Sequence, residues 1–203
     1  REIAARTKND LVEPKTTVEA TGSNVEDSAS VVNHEPDLCP LYTARVILGA
    51  SVTDSPSWLG TRIANRGDTP RNAIVDAANF VLFEMGQPTH VFDLDKLTGN
   101  RIEIRRAKKG ETLLPIGEGA SEIKLTTDDL VIADAEKPVA LAGVKGGAET
   151  AVTSKTKNML IESATFDPIL VREMSRRHNV SSDSSYRFER GVSPLQVHSC
   201  AER

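Results

Sequence analysis

Cysteine is scarce in this sequence: Cys39 and Cys200 are its two thiols. Two cysteines make neither a disulfide framework nor, by themselves, a zinc site, so the chain reads as one with reduced thiols, of the cytosolic kind. Histidine is also sparse, and His34, His90, His178 and His198 show no HExxH or other paired metal spacing. No window approaches the roughly 18 consecutive apolar residues of a membrane span. The opening REIAARTKND carries no apolar signal core. Basic charge is not in excess. Lys+Arg 25 against Asp+Glu 29 leaves a formal net charge of −4, which excludes a nucleic-acid binder working by bulk charge but leaves room for a local arginine cluster. No aromatic residue precedes Tyr42, and residues 7–40 are dominated by Thr, Ser, Asp, Glu and Asn, the composition of a linker or loosely ordered arm.

What remains is ordinary globular material. A chain of 203 residues with 38% hydrophobic and 27% charged composition can bury a real core, as one large domain or two small ones. Arg1–Arg6 reads as the tail of an amphipathic helix without a cap before it, which predicts a piece of a longer protein. From Leu41, LYTARVILGASV alternates as a strand, with Tyr42, Ala44, Val46 and Leu48 on one face. A capping residue followed by proline recurs at Ser55-Pro56, Thr69-Pro70, Asp167-Pro168 and Ser193-Pro194, predicting helices over 56–65, 70–85, 168–178 and 194–203. The second carries an apolar stripe of Ile74, Ala77, Ala78, Val81, Leu82 and Met85, closed by Gly86. Between the second and third helices the period becomes two. RIEIRRA, ETLLPI, SEIKL, DLVIAD and PVALAG read as short strands, so the expected class is α+β with packed sheets and flanking helices.

Four segments carry more polar and glycine character than a core needs. GVKGG lacks the GxxxxGK[ST] spacing of a nucleotide loop, which leaves a tight turn near a ligand or a plain turn between strands. His90 follows Pro88 just past a helix end, and a lone histidine there is either structural or chemical. Glu162 interrupts the apolar run Met159, Leu160, Ile161; alternation places it on the face opposite Ile161, where a solvent-facing carboxylate is the plain expectation. In SRRHNVSSDSSYRFERG, arginines interleave with Tyr186 and Phe188, either as an RNA-contacting surface or as an internal ion-pair network.

Taken in order, DLCPLYTARVI, SPSWL, IVDAANFVLFEMGQPTHVFDLDKL, LVIAD…ALAGVKGG, KNMLIESATFDP, SRRH and SSDSSYRFERGVSP closely resemble the editing module of the bacterial phenylalanyl-tRNA synthetase beta subunit, over about residues 37–203. Residues 1–36 then correspond to the end of the preceding region and a linker. The resemblance implies a three-layer α+β module with a β-sandwich of unusual topology. It also implies an activity, hydrolysis of tyrosine wrongly esterified to tRNA(Phe). By that likeness His90 and Glu162 are the catalytic pair, with Glu162 also recognising the tyrosine hydroxyl. Gly143, Ser182, Ser184, Thr69 and Ala78 line or support the substrate pocket, and Arg176, Arg177 and Arg187 contact RNA. The implied partners are tRNA(Phe) and a synthetase alpha subunit, in a cytoplasmic heterotetramer of two alpha and two beta chains with no membrane role. No metal or cofactor is expected in this segment; ATP and Mg2+ belong to the parent complex.

Three positions depart from the family pattern. Ser184 stands where Ala is usual, Thr69 where Arg is frequent, and Ala78 where Thr is frequent. They keep open a second reading, a non-catalytic module that buttresses a synthetase and contacts tRNA, and a third, a free-standing hydrolase of misacylated tRNA.

Overall fold

The computed structural model describes residues 2–12, 15 and 17–202. In chain order the strands are β1 (Ser30–Asn33), β2 (Leu41–Ile47), β3 (Thr89–Asp93), β4 (Arg101–Arg106), β5 (Thr112–Leu113), β6 (Ile123–Lys124), β7 (Leu130–Ala133), β8 (Pro138–Leu141), β9 (Lys145–Gly146) and β10 (Met159–Thr165). The helices are α1 (Glu2–Thr7), α2 (Ser57–Asn65), α3 (Ala73–Met85), α4 (Pro168–Arg177), α5 (Asp183–Phe188) and α6 (Val197–Glu202).

Two sheets carry the fold. The larger has the order β1-β4-β7-β8-β9, the smaller β2-β10-β3, and β5 and β6 form a separate hairpin. Ile102 and Ile104 of β4, with Val131 and Ile132 of β7, share one buried cluster with Phe92, Leu160 and Ala164 of the smaller sheet. The second face of the smaller sheet is covered by α6, which packs against β10 and β2. From the other side α4 adds Val171 and Met174 to the central core. This is α+β with packed sheets and flanking helices, the class the sequence predicts.

Local chemistry explains the boundaries. Asp167 caps α4, its carboxylate accepting from the Leu170 N–H at 2.7 Å with Pro168 in the first turn. Gly86 ends α3 in the left-handed region at φ 81°. Thr69-Pro70 does not start α3: Asn72, whose Oδ1 accepts from Ile74 and Val75, is nearer and takes the capping role. Ser55 does not cap α2 either, because its hydroxyl bonds the buried Asp76 carboxylate at 2.5 Å. The fourth predicted helix is a 3-10 turn, Pro194–Gln196, followed by α6.

Two elements depart from the sequence reading. Ser30–Asn33 lies inside the segment read as a linker, yet it pairs in parallel with β4, Val31 opposite Ile102. Two adjacent valines in a polar stretch suffice to continue a sheet edge. The second is α5, which a capping box at Ser182 and Ser185 nucleates from a serine-rich stretch with little apolar periodicity.

Candidate functional site

The smaller sheet brings His90 and Glu162 together. β10 lies between β2 and β3, both antiparallel to it, and the register sets Glu162 directly opposite His90 on one side and Ala44 on the other. Directly opposed residues point to the same face, and that face also carries the core residues Leu160, Ala164 and Phe92. Glu162 is therefore inside, only 8% exposed, and the expectation of a solvent-facing carboxylate is corrected. Alternation gave the right face relative to Ile161, but that face is the interior of the sandwich.

Burial governs the electrostatics of both groups. It raises the Glu162 pKa to about 7, opposed by the hydrogen bond that the Tyr42 hydroxyl donates to Oε2 at 2.8 Å. The same effect lowers His90 to about 4, so the ring is neutral at physiological pH. Its Nε2 is sealed from solvent and meets no hydrogen-bond partner among the described residues, while the ring lies edge-on to Phe92, centroids 4.4 Å apart. An unpartnered buried ring nitrogen keeps an unused hydrogen-bonding capacity, which is uncommon in a folded interior.

The GVKGG segment closes over His90. Val144 N–H bonds the Leu141 carbonyl at 3.0 Å in the turn, and β9 then pairs with β8. A β-carbon on Gly146 would lie 2.3 Å from His90 Cε1, so the imidazole rests on bare backbone there. Gly143 sits three residues earlier, at φ +68°, and its absent side chain makes room for Phe166 and Val171, each 2.9 Å from where a β-carbon would be. Core packing thus accounts for glycine at 143, whereas Gly146, which the sequence reading did not single out, meets His90. Its only sequence signal was membership of the glycine-rich run.

Ser182 meets the turn before Gly146, while neither His90 nor Glu162 lines the groove beside it. Its hydroxyl donates to the Val144 carbonyl at 2.6 Å and accepts from the Ser185 N–H at 3.0 Å. An open groove of about 320 Å³ runs past Ser182, Asp183, Ser185 and Tyr186. Ser184 is half-buried in α5. Thr69 is exposed on the α2–α3 connection and Ala78 half-buried on α3, and neither hydrogen-bonds to His90 or Glu162. The α2–α3 connection is tied to α5 by Arg66, which bonds Asp183 at 3.0 Å and lies 3.8 Å over the Phe83 ring.

The three arginines differ. Arg177 is turned onto the buried Asp129, which also meets His178 Nε2 at 2.7 Å. Burial pushes the Asp129 pKa up, but the bonds from Thr126, His178 and Arg177 outweigh it and hold the group below its ordinary value. Arg187 bonds the Asp183 carbonyl and carboxylate at 2.8 and 3.0 Å. Arg176 is exposed and, among the described residues, has no ion-pair partner. The ion-pair alternative thus describes Arg177 and Arg187, and Arg190 likewise pairs with Glu189.

A search against protein families matches residues 38–203 to the B3/4 domain. The chain belongs to the B3/4 domain family. Among curated proteins, this B3/4 chain is 44% identical over its full length to the phenylalanine–tRNA ligase beta subunit of Symbiobacterium thermophilum, covering 23% of that protein. It is 42% identical over 95% of its length to the beta subunit of Nitratidesulfovibrio vulgaris, covering 24% of it. The chain therefore spans about a quarter of the length of these relatives. No helix among the described residues is long and apolar enough to cross a membrane.

Proposed function

We propose that this B3/4 chain is the editing module of a phenylalanine–tRNA ligase beta subunit, and that it hydrolyses the ester of tyrosyl-tRNA(Phe). The observation that carries the reading is a buried carboxylate, Glu162, set directly across a strand pair from a neutral histidine whose Nε2 has no partner among the described residues. Burying a carboxylate with a single hydrogen-bond donor costs stability, which supports a role for Glu162 beyond folding.

The chemistry follows from the selectivity problem. Phe and Tyr differ by one hydroxyl, and an apolar pocket rejects an added hydroxyl only about a hundredfold. A second site that hydrogen-bonds the hydroxyl discriminates in the opposite sense, since Phe leaves its polar group unpaired. In this reading Glu162 meets the ring hydroxyl of the misattached tyrosine. His90 Nε2 accepts a hydrogen bond from water and aims its oxygen at the ester carbonyl carbon. Water adds there, the carbon–oxygen bond to the tRNA ribose breaks, and the ribose oxygen leaves with a proton. The products are tyrosine and tRNA with a free terminal hydroxyl. A pKa of about 4 makes the ring a weak base, so orientation of the water is its larger contribution to attack on an already activated ester.

The proposed partners are tRNA(Phe) and a synthetase alpha subunit, in the cytoplasm. ATP and Mg2+ serve ligation elsewhere in that complex, and the hydrolysis draws no cofactor from this chain. A non-catalytic, tRNA-contacting module is the second reading. It is favoured by Ser182, whose hydroxyl proton is committed to the Val144 carbonyl and which also accepts from the Ser185 N–H.

Single-turnover hydrolysis of tyrosyl-tRNA(Phe) and phenylalanyl-tRNA(Phe) by the parent complex separates the two readings. Faster release of tyrosine, lost in both His90→Ala and Glu162→Ala, supports editing. Equal, background-level release of both amino acids leaves the module as a scaffold.

A further inference from the structure

Glu162 has two carboxylate oxygens, and the protein occupies one. Tyr42 donates to Oε2 at 2.8 Å, and among the described residues no hydrogen bond reaches Oε1. Tyr42 pairs with Ala164 and Glu162 with Ala44, so the bond runs diagonally between next-nearest positions on one face of the sheet. Both ends are held by backbone ladders. Burial first, and then Glu162, pushes the Tyr42 pKa well above its ordinary value, so the phenol keeps its proton and acts as a donor throughout the accessible pH range.

A glutamate has three side-chain torsions, and a carboxylate that must meet one substrate hydroxyl gains from having them fixed. We propose that Tyr42 is a positioning residue for specificity: it clamps one oxygen of Glu162 so that the other is presented to the phenol of the substrate. This rests on the hydrolysis proposed above. The pair also shows that the carboxylate, in place, accepts a hydrogen bond from a tyrosine ring of the chain itself. That is the chemistry required of it toward a second phenol, and the substrate class is aminoacyl esters carrying a hydroxyphenyl side chain.

The titratable groups packed around Glu162 are Tyr42, His90 on β3 and Cys39 just before β2, whose thiol is pushed up to about 12 by burial and then by Glu162. Of these only Tyr42 hydrogen-bonds Glu162. Removing that donor leaves the ionised carboxylate less favoured, so the pH dependence of tyrosine release should move to higher pH.

The test is a double-mutant cycle in the complete ligase: wild type, Tyr42→Phe, Glu162→Ala and the double variant, each assayed by single-turnover hydrolysis of tyrosyl- and phenylalanyl-tRNA(Phe) across pH 6 to 9. Tyr42→Phe should lower the preference for tyrosine roughly tenfold, leave phenylalanine release unchanged and shift the pH midpoint upward. In a Glu162→Ala background the same change should have no further effect. A Tyr42→Phe enzyme with wild-type preference and pH profile overturns the inference while leaving the editing reading intact. A wild-type enzyme that does not prefer tyrosine overturns the editing reading, and the inference falls with it. A uniform loss on both substrates that persists in the Glu162→Ala background assigns Tyr42 a merely structural role and also overturns the inference.

Discussion

Gly146 lies directly against the imidazole of His90: a β-carbon at 146 would stand 2.3 Å from Cε1 and 2.6 Å from Nε2. Any side chain at 146 must displace the ring. Gly146→Ala is therefore expected to reduce ester hydrolysis at least tenfold, since small misplacements of a positioning group carry large rate costs. Gly143→Ala serves as the contrast. It forces a side chain onto a backbone at φ +68° and into Phe166 and Val171, costing about 1–3 kcal/mol. That corresponds to a fall in Tm of roughly 2–12 °C for a chain of this size. Thermal denaturation and single-turnover assays on both variants separate a displaced ring from a strained core.

The paired shifts of Glu162 and His90 predict opposed effects of pH on stability. A carboxyl whose pKa rises from 4.5 to about 7 on folding holds a proton that the unfolded chain has released. Its stabilising contribution is full below about pH 4.5 and is lost as pH rises through about 7. His90, lowered from 6.5 to about 4, refuses a proton that the unfolded chain accepts, so its contribution is lost as pH falls through 6.5 toward 4. Between about pH 4.5 and 6.5 the two slopes oppose each other and flatten the wild-type profile. Glu162→Gln removes the first slope. Its stability relative to wild type should rise by about 3 kcal/mol between pH 4.5 and pH 8, and urea denaturation at several pH values checks this.

Arg176 and Arg177 are neighbours with opposite expected roles. Arg177 pairs with the buried Asp129, and Arg176 is exposed without an ion-pair partner among the described residues. Arg177→Ala should destabilise the fold, and Asp129→Ala more so, by about 1–3 kcal/mol, because removing the acceptor leaves the His178 ring and the Thr126 N–H unpaired while the partly exposed Arg177 turns to solvent. Arg176→Ala should leave Tm within about a degree, as surface substitutions away from such features do. If α4 meets tRNA, Arg176→Ala weakens tRNA affinity and reduces its salt dependence. Filter binding at two salt concentrations, alongside melting curves, measures both.

Truncation tests where the folded unit begins. The matched family segment starts at residue 38, but β1 pairs in parallel with β4 from Ser30 to Asn33. A chain starting at residue 37 loses that strand and the buried Ala29, and leaves the β4 edge unpaired. It should be less stable than one starting at residue 25 and more prone to associate through the open edge. Denaturation midpoints and light scattering of the two chains give the answer.

The fold was legible where local chemistry is strong. The apolar stripe of α3 with Gly86 behind it, Asp167-Pro168 before α4, and the alternating runs that became β4, β7 and β8 each carry their signal within a few residues. It was less legible where two caps competed, as Asn72 did with Thr69, or where an element drew its stability from a distant partner, as β1 does from β4. The same holds at the site. His90 and Glu162 were visible as odd residues in their surroundings, and alternation fixed which face Glu162 takes. Which face is interior depends on the second sheet, and the partner of its carboxylate is Tyr42, 120 residues away. Gly146 was invisible as a contact because nothing in a glycine announces the ring above it.

The strand order β2-β10-β3 also has a temporal consequence. β2 and β3 leave the ribosome first, and the strand that joins them emerges more than 60 residues after β3. Until then the edges of both early strands are unpaired, and His90 has no carboxylate opposite it. Closing such long loops is the slow part of folding. The nascent chain should thus be most vulnerable to proteases and mispairing, and on the proposed editing reading without hydrolytic activity, in the interval before residue 165 is released.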